Sequence, residues 1–96
     1  MPAYLIVDTA IENADTYEKY KALAKPIAEQ YGGTYRARGG TMDVLETDLW
    51  SPTRMVIIEF PDMQAARAFA NSEEYAPVKS LRIDNARCTM VIVDGL

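Results

Sequence analysis

The sequence predicts an α+β fold in which a four-stranded antiparallel sheet carries two helical segments on one face. Strand-like and helix-like patterns follow one another in the order β-α-β-β-α-β over the 96 residues. Each helical pattern has a single apolar stripe and therefore needs only one covering surface. Right-handed β-α-β connections then place both helical segments on the same side of the sheet, which is the ferredoxin-like arrangement.

The first strand and first helix are predicted from an apolar run and a long amphipathic segment. Residues 3–7 are rich in β-forming side chains, and the helix is expected to start at Asn13 or Asp15, both good capping residues. Pro26 predicts a kink within one helix, since proline lacks a backbone donor. Gly32-Gly33 predicts its end. The expected apolar face consists of Tyr17, Tyr20, Leu23, Ala24, Ile27, Ala28 and Tyr31.

The second strand is predicted at residues 34–38, between two glycine pairs. Period-two alternation would place Arg36 and Arg38 on the same face, where they are either solvated or available to an anion. A bulge is expected at Gly39-Gly40, with the strand continuing over residues 42–47.

The second half of the chain is predicted to contain a turn, a strand, a helical segment and a last strand. Residues 48–52 predict a hairpin turn, and the alternation over residues 54–60 predicts a third strand with Arg54, Val56, Ile58 and Phe60 on one face. Asp62 is expected to cap the second helical segment, which restarts over residues 72–82. Residues 87–93 predict the last strand.

Composition and charge exclude several classes of function. A chain of 96 residues predicts one domain, 1–96. The net charge of -4 disfavours binding to nucleic acid or to an anionic membrane through the overall field. The chain has no histidine and one cysteine, Cys88, so histidine catalysis and a zinc or haem site are not expected, and we predict no metal and no cofactor.

The same residues bear on location. A single cysteine allows no intramolecular disulfide, and no stretch approaches the ~20 apolar residues that span a bilayer. The amino-terminal apolar run lacks the basic region of a signal peptide. We therefore expect a cytoplasmic protein.

The face of the sheet opposite the helices is predicted to be too apolar to stay in water, because each strand has hydrophobic residues on both sides. A second copy packing sheet against sheet would cover it. The sequence thus predicts a homodimer through the sheet faces.

Several stretches resemble the domain of unknown function 1330 family: RARGG (36–40), WSPTRMVIIEFPD (50–62), SEEY (72–75), Arg82 and VIVDG (91–95). This resemblance implies a dimeric α/β barrel, a group that includes cofactor-free monooxygenases, isomerases, haem enzymes and non-catalytic stress or ligand-binding proteins. In this family the position of Arg36 is usually apolar. The family's recurrent polar residues fall on Tyr20, Arg38, Trp50, Arg54, Glu59, Ser72, Tyr75, Arg82 and Asp94.

Two residues are candidates for catalysis. Arg38 could pair with a carboxylate or enolate of a substrate, or it could be tied to Glu59 or Asp94 within the sheet. Glu59 could act as a general acid or base, or it could be an ion-pair partner of Arg38 or Arg54.

Further residues are candidates for ligand binding. Tyr20 and Tyr75 could donate hydrogen bonds to an oxyanion, or they could be core residues with hydroxyls at the rim. Trp50 could cover a pocket or pack across a dimer interface. Arg82 could bind a ligand or only complement a helix end, and Ser72 is interpreted as a cap.

These observations leave three functions open. The first is a cofactor-independent enzyme acting on a small anionic or carbonyl compound. The second is a non-catalytic homodimer that binds a small ligand or takes part in a stress response. The third is a module that binds another protein.

Overall fold

The computed structural model describes residues 1–96 and confirms the ferredoxin-like order of strands. The four strands form one antiparallel sheet in the order β2-β3-β1-β4, so the first and third strands are central. The helices cover one side of this sheet. The elements are β1 (Ala3–Ile11), α1 (Ala14–Gln30), β2 (Thr34–Arg38), β3 (Met55–Phe60), α2 (Met63–Ala70), α3 (Ala76–Asn85) and β4 (Ala86–Asp94).

The hydrophobic core lies between the helices and one face of the sheet, which we call the helix face. Alternate residues of the two central strands point into it, as the period-two pattern predicts. Helix α2 packs on β1, β3 and β4, and α1 packs beside α3. The core cluster consists of Leu5, Val7, Ala24, Ala28, Val56, Ile58, Phe60, Ala66, Phe69, Tyr75 and Val78.

The opposite side of the sheet, the outer face, is also apolar at its centre. Ile6 of β1 pairs with Ile57 on one side and Val91 on the other. Tyr4 lies beside Val93 in the same register. Val91 and Val93 are 49% and 47% exposed. No element of the chain covers this face.

The first helix begins and ends at polar and glycine signals. Asn13 is the cap, since its side chain accepts a hydrogen bond from the backbone N–H of Thr16 at 3.2 Å. The helix continues past Pro26 as one helix, as expected. Gly32 has a φ of +88° and ends the helix. Leu23 does not join the core and is 49% exposed.

The second helical segment consists of two separate helices, so the fold has three helices where two helical segments were predicted. Asp62 caps α2 as expected, by accepting from the N–H of Ala65 at 2.7 Å. The Ser72 hydroxyl donates to the Phe69 carbonyl and accepts from the N–H of Tyr75, which closes a turn between α2 and α3. Therefore α3 begins only at residue 76. None of the helices is long and apolar enough to cross a membrane.

The second strand contains a bulge that changes which arginine faces which side. Tyr35 and Ala37 pair with consecutive residues of β3, so Arg36 is the extra residue of the bulge. Alternation shifts after it, and Arg38 pairs with Val56, whose side chain is buried on the helix face. The prediction that both arginines share a face was wrong because an extra residue reverses the pattern.

Residues 39–54, which we call the arm, contain neither helix nor strand. The predicted strand over residues 42–47, the hairpin turn over residues 48–52 and the bulge at Gly39-Gly40 are therefore wrong. The physical reason lies immediately before the first residue of β3, Met55. The N–H groups of Thr53 and Arg54 donate to the side chain of Asp8, so the chain leaves the sheet there and residues 42–47 have no neighbouring strand.

Candidate functional site

A cavity of about 30 Å³ lies inside the helix face, between α1 and the sheet. Three of its fourteen lining residues are cations, Lys21, Arg38 and Arg54, and none is acidic. The other eleven are hydrophobic or aromatic: Leu5, Val7, Tyr17, Tyr20, Ala24, Tyr35, Val56, Ile58, Phe69, Tyr75 and Met90.

Arg38 reaches this cavity because of the bulge in β2. One terminal nitrogen, Nη2, donates to the backbone carbonyl of Lys21 at 2.9 Å. Its guanidinium carbon lies 4.8 Å from the centre of the Tyr35 ring, a cation–π contact. Arg38 forms no ion pair with any carboxylate of the chain. The charge is thus held in place by neutral groups.

Arg54 supplies the second guanidinium. Its carbon lies 5.6 Å from the centre of the Tyr17 ring. Gly39 leaves room for it, since a Cβ there would lie 2.7 Å from the Arg54 Nε. Nitrogen Nη1 of Arg54 is buried and has no hydrogen-bond partner. An unpartnered buried donor is costly, and it therefore marks a position where a ligand oxygen would be stabilised.

Two tyrosine hydroxyls of the cavity wall are hydrogen-bonded in a chain to a buried arginine outside it. The hydroxyl oxygens of Tyr20 and Tyr75 lie 2.7 Å apart. Arg82 is 8% exposed, and its Nε donates to the Tyr75 hydroxyl at 3.3 Å. Burial opposes the charge of Arg82, but contacts with Cys88 and Tyr75 hold its pKa above the usual value. Arg82 therefore contacts the tyrosine pair through the Tyr75 hydroxyl and does not itself line the cavity.

Tyr20 is suited to donate a hydrogen bond. Burial is the largest cause that raises the pKa of its hydroxyl far above the ordinary value of 10.0, and the contact with Tyr75 adds to it. At neutral pH the hydroxyl keeps its proton, so it cannot act as a base.

Glu59 lies on the outer face, away from the cavity. Its carboxylate Oε1 lies 3.2 Å from the Nε of Arg36, in a partly exposed ion pair. The structure therefore does not bring Glu59 and Arg38 together. Glu59 instead forms its ion pair with Arg36, the bulge residue. The sequence had predicted Arg38 or Arg54 as its partner.

Trp50 and Asp94 lie elsewhere. The indole Nε1 of Trp50 donates to Oδ2 of Asp8 at 3.0 Å, in the arm. Asp94 is exposed at the end of β4, where it pairs with Ala3. Ser72 acts on the site only indirectly, through its hydrogen bond to the backbone of Tyr75.

A separate polar cleft of about 370 Å³ lies on the surface beside α1. Lys21 and Arg38 line both spaces, so the cleft lies next to the cavity. The cleft is lined by Glu18, Lys21, Ala22, Lys25, Pro26, Glu29 and Arg38. A ligand could therefore place one group in the cavity and leave the rest of its body in the cleft.

The sequence pattern predicts that Arg54 lies on the helix face, where the cavity is. Arg54 precedes Val56 and Ile58 in a strict alternation, and both of these residues are buried on the helix face. For Tyr17 and Lys21 the helical spacing with Tyr20 gave a weaker signal. No three side chains among histidine, cysteine, aspartate and glutamate are arranged to hold a metal ion.

The fold and this cavity define a ferredoxin-like α+β protein with a cationic, apolar-walled site between helices and sheet. The family model described as Domain of unknown function (DUF1330) matches residues 2–96. The chain belongs to this family. None of the curated proteins matches it.

Solved structures share the fold at low sequence identity. A dimeric ferredoxin-like protein of unknown function from Jannaschia sp. CCS1 is 18% identical with a TM-score of 0.76, over 99% of this chain and 100% of the other. A protein of unknown function from Rhodopseudomonas palustris is 16% identical with a TM-score of 0.76, over 99% and 82%. SnoaB, a cofactor-independent oxygenase from Streptomyces nogalater, is 9% identical with a TM-score of 0.71, over 99% and 93%.

Proposed function

We propose that the protein binds a small anionic compound, a carboxylate or the enolate of a carbonyl compound, in the cavity of the helix face. One observation carries the proposal. The cavity wall contains three cations and no acid, and one guanidinium nitrogen, Nη1 of Arg54, is buried without a partner.

The energetics favour an anion over a neutral ligand. A buried donor without a partner costs about 1–3 kcal/mol, which an accepting oxygen would recover. Hydrogen bonds from a guanidinium to an ionised oxygen are roughly twice as strong as those between neutral groups. Arg38 and Arg54 would hold the charge, and the Tyr20 hydroxyl would donate a further hydrogen bond.

The walls set the shape of the ligand. A cavity of about 30 Å³ accommodates one small group, and most of its lining is apolar or aromatic. The remainder of the ligand would occupy the cleft of about 370 Å³, where Lys21 and Lys25 are ion-paired with Glu18 and Glu29. We therefore favour a compact aromatic or aliphatic acid, or an enolisable ketone of similar size.

We further propose that the protein not only binds this compound but also acts on it, without a cofactor. Cations and a hydroxyl donor around a carbonyl oxygen would stabilise an enolate, as an oxyanion hole does. Because no base lines the cavity, the proton of the adjacent carbon would pass to solvent water or hydroxide. The likeness in fold to a cofactor-independent oxygenase is compatible with such chemistry. The proposal gives no role to Glu59, because it lies on the other side of the sheet.

Non-catalytic binding is the second candidate, and one observation favours it. No carboxylate lines the cavity, and the raised pKa of Tyr20 keeps its hydroxyl protonated. The cavity therefore contains no carboxylate or tyrosinate that could accept a proton from a ligand. In this case the pocket would bind and release the anion unchanged.

We further propose that the chain is a homodimer through the outer face. The exposed apolar centre around Ile6, Ile57 and Val91 supports this, as does the dimeric state given for the Jannaschia protein. Dimerisation would leave the cavity open, since it lies on the other side of the sheet.

The two arginines of β2 provide a matched test of the anion site. We expect aromatic carboxylates or enolised diketones to raise the melting temperature of the wild-type protein, whereas the corresponding amides do not. Arg38→Ala should lose this response, and Arg36→Ala, which removes the same charge from the outer face, should keep it. Equal responses in both variants would refute the site.

Proton exchange separates catalysis from binding. A ligand identified by its thermal response would be incubated in D₂O with the protein, and exchange at the carbon next to the carbonyl would be followed by NMR. Faster exchange that is lost in Tyr20→Phe and Arg38→Ala would support enolate stabilisation. Binding without faster exchange would favour the non-catalytic candidate.

A further inference from the structure

The arm exposes more large apolar side chains than a surface segment normally does. Leu45 and Leu49 are 85% and 91% exposed, Trp50 is 55% exposed and Val44 is 44% exposed. These residues fall within one stretch that contains no regular structure. Exposed apolar side chains concentrated in this way indicate a surface that contacts another protein.

Although it is irregular, the arm is anchored firmly to the outer face. The Asp8 carboxylate, which lies on that face between Val7 and Thr9, accepts hydrogen bonds from the Trp50 indole and from the N–H groups of Thr53 and Arg54, at 3.0, 2.9 and 3.0 Å. The arm therefore leaves the sheet at a fixed point. These three bonds hold the end of the arm that precedes β3, residues 50–54, against the outer face.

The apolar surfaces of the arm and the outer face are continuous. Met55, the first residue of β3, has its side chain on the outer face, where it pairs with Asp8. It also lines a shallow depression with residues of the arm. The other residues of that depression are Met42, Asp43, Val44, Leu45, Glu46, Trp50 and Pro52.

We infer that the arm packs against a second copy of this chain, with Leu45, Leu49 and Trp50 buried in the contact. This inference rests on the proposed homodimer through the outer face and adds the arm to it. In a two-fold symmetric dimer each arm would extend beyond the sheet-to-sheet contact and pack against the other subunit. The same interface would then cover both exposed apolar surfaces of the chain.

Charge also favours a second copy as the occupant. Asp43, Glu46 and Asp48 of the arm form no ion pair within the chain. The outer face provides an exposed cation, Arg87 of β4, which also has no ion-pair partner. An acidic arm and a sheet face with a free cation are complementary, as self-association requires.

Tryptophan fluorescence tests the inference directly, because Trp50 is the only tryptophan. Quenching by acrylamide would be measured on the wild-type protein from high to low concentration, and on Val91→Glu, which places a charge at the centre of the outer face. Sedimentation would give the oligomeric state of each sample. We expect Trp50 to be quenched at least threefold less in the dimer than in the monomer.

The outcomes separate this inference from the proposed homodimer. A dimer in which Trp50 is quenched as strongly as in the monomer would overturn the arm contact and leave the sheet-face dimer intact. A protein that is monomeric at every concentration would overturn both. Quenching of Trp50 that weakens as the protein concentration rises and the dimer forms would support both the arm contact and the sheet-face dimer.

A second pair of variants tests the contribution of the leucines. Leu45→Ser with Leu49→Ser removes apolar surface from the arm without touching the core, since both side chains are exposed. We expect the dimer dissociation constant to rise at least tenfold. The matched control is Leu23→Ser with Ile83→Ser, which removes the exposed apolar side chains of two helices. An equal effect of both pairs, or no effect of either, would overturn the inference.

Discussion

At the scale of single residues, position on a face decides what an arginine does. Arg36 and Arg38 belong to the same strand, yet one forms a surface ion pair with Glu59 and the other enters an apolar cavity. A solvent-exposed pair such as the first contributes little to stability, about 0–1 kcal/mol. The second has no acidic partner and keeps its charge available for a ligand.

The tyrosine pair gives a prediction at this scale. Tyr75→Phe would leave the Nε of the buried Arg82 without its acceptor, so we expect a loss of roughly 1.5–3 kcal/mol in the free energy of unfolding. Tyr20→Phe removes only the partner of a neutral hydroxyl and should cost about 0.5–1.5 kcal/mol. Urea unfolding of both variants measures this order. A larger loss for Tyr20→Phe would contradict it.

At the scale of elements, the sequence predicted the regular structure well and the irregular structure poorly. Strands β1, β3 and β4 and helices α1 and α2 follow from hydrophobic period and capping residues, because both signals are local. The bulge at Arg36 depends on how β2 and β3 align, which no local pattern reveals. Residues 42–47 have strand-forming side chains but lack a neighbouring strand, so propensity alone was misleading.

The start of the arm predicts different roles for two adjacent glycines. Gly39 has a φ of +71°, and a Cβ there would lie 2.7 Å from the Arg54 Nε. We expect Gly39→Ala to lower the free energy of unfolding by about 1–3 kcal/mol, from the strained backbone and the displaced guanidinium. Gly40→Ala is the control, since nothing lies within 4 Å of an added Cβ. Chemical unfolding that finds the two variants equally stable would rule out this role.

The anchor of the arm predicts a response to low pH. Burial raises the pKa of Asp8, but hydrogen bonds from Arg54, Thr53 and Trp50 outweigh this and hold it below 3.8. A carboxylate whose pKa is lowered in the folded state stabilises the protein above its unfolded pKa, and this stabilisation is lost as the pH falls through the folded pKa. Trp50 emission should therefore change below pH 3.8.

Asp8→Asn provides the control for this response, since an amide does not titrate. The variant should show no step in Trp50 emission over the same range. A step of the same size in wild type and variant would mean that another group releases the arm.

At the scale of the whole molecule, topology was predictable and the site was not. Alternation within each strand and the right-handed connection rule together leave few arrangements for six elements, so the fold follows from the sequence. The cavity depends on contacts between residues far apart in the chain, such as Tyr20 with Tyr75 and Arg54 with Tyr17. Sequence reasoning named Tyr20, Arg38 and Tyr75, which line the cavity, but it grouped Arg38 with Glu59, which lies on the other side of the sheet.

The outer face yields the last prediction, which concerns assembly. Binding of a second copy to the folded state alone stabilises that state by mass action, so the melting temperature should rise with protein concentration. Val91→Glu should melt at a lower temperature that no longer depends on concentration, because a charge at the centre of this face opposes sheet-to-sheet packing. Ile83→Glu is the matched control, since Ile83 is an exposed isoleucine of α3 with 56% exposure. If calorimetry over a hundredfold range of concentration gave one melting temperature for wild type and both variants, the outer face would have to be covered in some other way.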